Sequence, residues 1–146
     1  MIRNVLLICA FALSLSSCSK SNEEEPPIKL STIVGTWLEY AYLNSDNYFT
    51  DISNTGYNMY YEFDASNQYA QYTIDESGEK EILHKGVWSY SAESQQIYVE
   101  EERGWNLYIS VEFDNEINDG LHRATFDIKG RTPLQSSTIK VKRIIQ

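Results

Sequence analysis

The chain has 146 residues, with 21 acidic side chains against 12 lysines and arginines, for a net charge of −9. So acidic a chain is a poor partner for nucleic acid and has no electrostatic attraction to an anionic membrane. Its two cysteines, Cys9 and Cys18, both lie in the first eighteen residues. No thiol is therefore left in the rest of the chain for a disulfide scaffold, a thiolate zinc site or a cysteine nucleophile.

At the N-terminus, Arg3 is followed by an almost wholly apolar run from Val5 to Leu15, which closes on Ser16 and Ser17. This order of charge, apolar run and small residues is that of an export signal. A membrane-spanning helix needs about 20 apolar residues, and the run covers roughly half of that. The segment Leu15-Ser16-Ser17-Cys18 resembles the lipobox of bacterial lipoproteins. That resemblance implies cleavage after Ser17 and acylation of Cys18, so residues 1–17 are a signal peptide and Cys9 leaves with it. Removing them removes Arg3 and no acid, which takes the charge from −9 to −10. Each lipid CH₂ buried contributes about 0.8 kcal/mol, so several acyl chains on one cysteine anchor firmly.

Residues 18–29 form an acidic, extended tether: Glu23, Glu24 and Glu25 precede Pro26 and Pro27, and apolar side chains are almost lacking. The tract resembles the acidic signal that sends Bacteroidetes-type lipoproteins to the outer face of the outer membrane. The alternative is a plain soluble linker. Residues 30–146 then give about 115 residues, one domain with one core.

Eleven tyrosines and three tryptophans favour strands. Period-2 alternation predicts strands at Gly35–Leu43, Tyr57–Asp64, Tyr69–Ile74, Glu81–Tyr90, Gln96–Glu101, Trp105–Phe113, Leu121–Ile128 and Thr138–Ile145. Turn residues separate them: Ala65-Ser66-Asn67, Glu76-Ser77-Gly78, Glu93-Ser94, Arg103-Gly104, Asn118-Asp119-Gly120 and Gly130–Ser136. Short gaps between sequential strands imply an all-β, eight-stranded antiparallel meander, and closure into a small barrel removes both edges. The stretch from Asn44 to Gly56 exceeds a hairpin turn and carries Tyr48, Phe49 and Ile52, so it is either a lid over the barrel mouth or a plug packed into it.

Gly35-Thr36-Trp37 at the head of the first strand resembles the Gly-x-Trp of lipocalins. The long loop after that strand and Arg143 on the last strand fit the same family, and a second Gly-x-Trp stands at Gly86-Val87-Trp88. The resemblance implies a lipocalin-like barrel whose floor is closed by Gly35, Trp37 and Arg143, with the guanidinium across the indole, a contact of about 0.5–2 kcal/mol. Only about eight residues, Gly130 to Ser137, stand where lipocalins carry a helix, which implies a reduced barrel or a strongly curled sheet. The nearest likeness is to compact lipocalin-like domains of Bacteroidetes lipoproteins.

With Trp37 pointing inward, alternation places Glu39, Ala41, Leu43, Tyr61, Tyr72, Ile74, His122 and Phe126 inward as well. A barrel lined this heavily is either filled by its own side chains or holds one small ligand. For a ligand, the candidate contacts are Glu39, Tyr61, Tyr72, His122 and Phe126. Glu39 and His122, polar among apolar neighbours, pair with each other, with Arg143 or with a ligand's polar end. The lining suits a small, largely apolar ligand with one polar terminus. Tyr40, Tyr42, Tyr98 and Tyr108 fall on the outer face, where tyrosines cover neighbouring surface or bind a protein or glycan.

No nucleophile–base pair, metal-ligand spacing or phosphate-binding glycine loop occurs, and Asp114–Gly120 lacks the glycine position and closing glutamate of a calcium loop. No catalytic residue, metal or cofactor is expected. Two functions remain open: a lipid-anchored, surface-facing outer-membrane lipoprotein that binds a small apolar ligand, or an accessory or inhibitory lipoprotein with a filled barrel and a protein or glycan partner.

Overall fold

A computed structural model describes residues 30–114, 122–130 and 136–144. The signal peptide, Cys18, the tether and the Asn118-Asp119-Gly120 turn lie outside the described residues. After a single helical turn, α1 (Leu30–Ile33), the described residues form nine strands. They are β1 (Gly35–Leu43), β2 (Phe49–Asp51), β3 (Met59–Phe63), β4 (Gln68–Ile74), β5 (Lys80–Ser91), β6 (Gln96–Glu101), β7 (Asn106–Phe113), β8 (Arg123–Lys129) and β9 (Ser136–Ile144). All eight expected strands are present with ends shifted by no more than two residues, and β2 is an addition inside the long loop.

Every neighbouring pair is antiparallel, and β1 pairs with β9 as well as with β3, which closes an eight-stranded barrel with β2 as an extra strand. The fold is the all-β lipocalin-like barrel, closed rather than an open curled sheet. Closure satisfies the backbone of both edges at once.

Two hairpins use the same chemistry. Asp64 Oδ1 accepts from the backbone N–H of Ser66 and Gln68 (2.9 and 2.7 Å), and Asp75 Oδ1 accepts from Ser77 and Glu79 (2.9 and 2.8 Å). The left-handed residue each turn requires is Asn67 in the first and Gly78 in the second. These N–H donors hold both carboxyls below the usual range, led by the Gln68 N–H at Asp64 and by the Ser77 hydroxyl at Asp75.

The β1 end that begins at Gly35 is the floor. Trp37 is fully buried there, between Phe126 (5.7 Å between ring centres) and Phe113 (6.1 Å), and its indole N–H donates to the Ile33 carbonyl at 2.9 Å. Phe63, Trp88 and Phe126 extend this aromatic cluster, and Ile97, Val99, Leu107, Ile109 and Val141 complete the core. The second Gly-x-Trp repeats the first: Trp88 is buried and its N–H donates to the Asp64 carbonyl at 3.0 Å. Arg143 covers the floor as the resemblance implies, but through a different contact. Its guanidinium lies against Gly35, where a Cβ would stand 2.8 Å from Nε, and it donates to the Val34 carbonyl. The cations seated over rings are Lys80 on Tyr72 and Lys140 on Phe49.

Two bulges set which side chains face inward. In β1, Glu39 pairs with Val141 but Ala41 pairs with Lys140, so Tyr40 is an extra residue and the alternation reverses beyond it. Tyr42, paired with the core residue Ile139, therefore turns toward the mouth, where it stays exposed, while Ala41, expected inward, pairs with Lys140 yet is buried, and Leu43 is half-buried. In β5, Leu83 is the extra residue between Ile82 and His84.

Candidate ligand site at the barrel mouth

At the opposite end from Trp37, β1 changes partners. Gly35–Leu38 pair with β3, and Ala41–Leu43 pair with β2, which leaves Glu39 and Tyr40 at a fork in the wall. The connection from β2 folds back over this fork: the Ile52 N–H donates to the Tyr40 carbonyl at 2.8 Å, and the Ile52 side chain is buried. Lid and plug are thus combined, with Ile52 tucked in while Tyr48, Phe49 and Tyr57 remain exposed. Beneath lies a cavity of about 350 Å³ lined by Glu39, Tyr42, Ile52 and Tyr57. Its size falls within the range of small-molecule sites.

Glu39 is the chemical centre of this cavity. It is 8% exposed and accepts a hydrogen bond from the Tyr61 hydroxyl at 3.1 Å, while the Gln71 side-chain amide reaches that hydroxyl at 3.4 Å. Burial pushes the Glu39 carboxyl above its ordinary range, and the Tyr61 bond offsets part of that. Burial and the Glu39 charge together hold the Tyr61 phenol well above the usual tyrosine value and raise Tyr57 in the same direction. A polar track thus runs across the interior from β1 through β3 to β4, above an apolar floor.

Further round the wall, His84 Nδ1 lies 3.0 Å from Glu101 Oε2, whose side chain is almost wholly buried. Gly86 lets the β5 and β6 backbones approach closely beside this pair: a Cβ there would fall 2.1 Å from the Glu100 carbonyl oxygen. A depression of about 270 Å³ adjoins the pair, beside Ile82 and Arg103. A larger hollow, about 540 Å³, lies under the floor between Val34, Asp64, His122 and Arg143. Its charged groups are already engaged, Arg143 with Val34 and Glu62 with Lys80, so it lacks the mouth's enclosed carboxyl.

The expected site residues separate into two groups. Glu39 and Tyr61 are inside and bonded to each other. Phe126 is inside, fully buried in the floor cluster among Trp37, Tyr61 and Phe63, and lines none of the three hollows described. Tyr72 is not inside. The hairpin at Asp64 sets Phe63 opposite Tyr69, which turns Tyr69 and Gln71 inward and Tyr72 outward. There it stacks on Tyr60 at 5.1 Å under the Lys80 ammonium and is buried without facing the core. His122 keeps inward parity but lies past the start of β8, exposed at the floor, with its carbonyl accepting from the Arg143 N–H. Neither His122 nor Arg143 pairs with Glu39.

Alternation alone missed Tyr42, Gln71 and Ile52. Gln71 was within reach of the Asp64 turn register, whereas the bulge at Tyr40 that turns Tyr42 inward carries no composition signal. Among the described residues, no group of three His, Cys, Asp or Glu side chains could hold a metal ion. Compared with known proteins, the chain matches no family model, and no curated protein is significantly similar to it.

Proposed function

We propose that this chain is an envelope lipoprotein, anchored through Cys18, whose barrel mouth binds a small, largely apolar ligand by one polar end. The observation that carries the proposal is Glu39, a carboxyl nearly buried at the base of a 350 Å³ cavity walled by tyrosine and isoleucine. Tyr61 and Gln71 fix it from behind, which leaves the cavity side for an occupant. The lipocalin-like barrel supports the proposal by analogy of fold alone.

The anchor adds a direction. The chain enters the barrel at the floor, where Ile33 sits beneath Trp37, and β1 then rises roughly 30 Å to the mouth. An anchor upstream of α1 attaches at the floor, so the tether does not cross the cavity.

Native mass spectrometry of the full chain, released gently from detergent, tests the binding proposal. Binding predicts a reproducible added mass that organic solvent removes. A bare chain mass, together with tyrosine and tryptophan emission unmoved by apolar probes, would dismiss it.

A second function has its own support. Tyr42, Tyr48, Phe49 and Tyr57 are all exposed around the mouth, and Trp105 and Tyr108 are exposed on β7 and the turn before it. Exposed aromatics of this density suit a protein or glycan partner. Replacing Tyr48 and Phe49 by serine separates the two, because neither lines the cavity: partner capture is lost and small-ligand binding is retained.

A further inference from the structure

We propose that the mouth cavity is built for an organic ammonium, an amine on a small apolar body, whose charge meets Glu39 between Tyr42 and Tyr57. This rests on the binding function above and names the chemistry of its polar end.

A buried carboxylate is costly in its ionised form unless a counter-charge or several donors compensate it. Among the described residues, the interactions that govern Glu39 are its burial and the Tyr61 hydroxyl, and no lysine or arginine joins them. The cations on the neighbouring strands face elsewhere: Lys140 pairs with Ala41 and lies over Phe49, Lys142 pairs with Leu38 and Arg123 with Lys142 on the opposite face from Glu39, and Arg143 closes the floor. The interior polar track thus supplies donors behind Glu39 but no positive charge.

The remaining walls suit the same occupant. Tyr42 and Tyr57 both line the cavity beside the carboxyl. Tyrosine rings attract ammonium groups, and a ring lining combined with one carboxylate is a common solution for binding them. A carboxylate ligand would meet Glu39 as a like charge. A neutral alcohol would gain one hydrogen bond and leave the desolvated charge uncompensated. An ammonium alone supplies donors and neutralises the site. The net charge of −9 adds a long-range attraction of the same sign.

Three probes of one shape test the assignment on the full chain in non-ionic detergent: phenethylamine, 2-phenylethanol and phenylacetate, followed by calorimetry. The amine should bind about tenfold or more tighter than the alcohol, with phenylacetate weakest. Glu39→Gln should remove most of the amine's advantage while alcohol binding stays within about twofold. Tyr57→Leu, at a half-exposed position that the fold does not need, should weaken the amine several-fold more than the alcohol. Alcohol or phenylacetate binding as tight as the amine overturns the ammonium assignment and leaves the binding function standing. An amine preference unchanged by Glu39→Gln also overturns it. If none of the three binds, the ammonium assignment falls, and the binding function is decided separately by the native mass of the chain.

Discussion

Tyr61 and Glu39, 22 residues apart in the chain, meet inside the barrel with the phenol donating to Oε2 at 3.1 Å. The bond keeps the carboxyl oriented but does not cancel its burial, which raises the Glu39 pKa from an ordinary 4.5. A carboxyl whose folded pKa is raised binds its proton more tightly in the folded state. Its contribution is fully present below the unfolded value and is lost as pH rises through the folded value. Glu39→Gln keeps an acceptor for Tyr61 and removes the charge. At pH 7 it should melt a few degrees higher than the parent, with the gap closing toward pH 4. Equal melting temperatures at both pH values would contradict this account.

Phe126 is a keystone of the floor and not a ligand contact. Truncation to alanine removes rings packed against Trp37, Phe63 and Tyr61, and should cost about 3–5 kcal/mol in a denaturant titration. Phe126→Trp overfills the same space and should cost about 1–3 kcal/mol. Probe affinity at the mouth should stay constant in any folded fraction.

Gly86 and Gly78 predict different penalties for the same substitution. At Gly86 a Cβ strikes the Glu100 backbone, so alanine must spread β5 from β6 and should cost at least about 3 kcal/mol. At Gly78 a Cβ meets open space, and only the left-handed φ of 85° resists it, so the expected cost is about 1 kcal/mol. Urea midpoints of the two variants compare them directly.

His84→Ala withdraws a bonded partner from the buried Glu101 carboxyl and should destabilise the fold by about 1–3 kcal/mol. Glu101→Gln in the same background should recover part of that loss. A double variant no more stable than His84→Ala would show that the two residues are not coupled.

Much of the architecture was legible because it depends on two local signals. Alternation placed eight strands, and turn residues such as Asp64-Ala65-Ser66-Asn67 fixed where they reverse. Trp37 and Arg143 at the floor followed from the Gly-x-Trp resemblance. The failures come from register. Tyr72 and Gln71 differ by one position, and the choice between them is made by the hairpin's pairing of Phe63 with Tyr69. Tyr42 changes face because of a bulge two residues earlier, at Tyr40, produced by the pairing with a strand 100 residues away. A bulge of this kind depends on long-range pairing, so no local pattern announces it. His122 failed differently, since its parity was right but the wall had already ended.

The fork at Glu39 and Tyr40 divides the barrel into parts of unequal permanence. The eight strands that hold the core stay hydrogen-bonded to one another whether or not β2 is in place, because β2 adds only the pairs Ala41–Asp51, Tyr42–Thr50 and Leu43–Phe49. Detaching it also gives up the Ile52–Tyr40 and Asn44–Thr50 bonds and the Lys140 contact on Phe49, exposes the Ile52 side chain and leaves the floor untouched. Opening at the mouth is therefore a local event whose free energy is set by these few contacts, and global unfolding sits on a separate scale. Amide exchange at Ile52 should outpace that at Trp37 by orders of magnitude. The sequence from Phe49 to Ile52 can therefore change, and with it the ease of opening, without disturbing the core that keeps the chain folded.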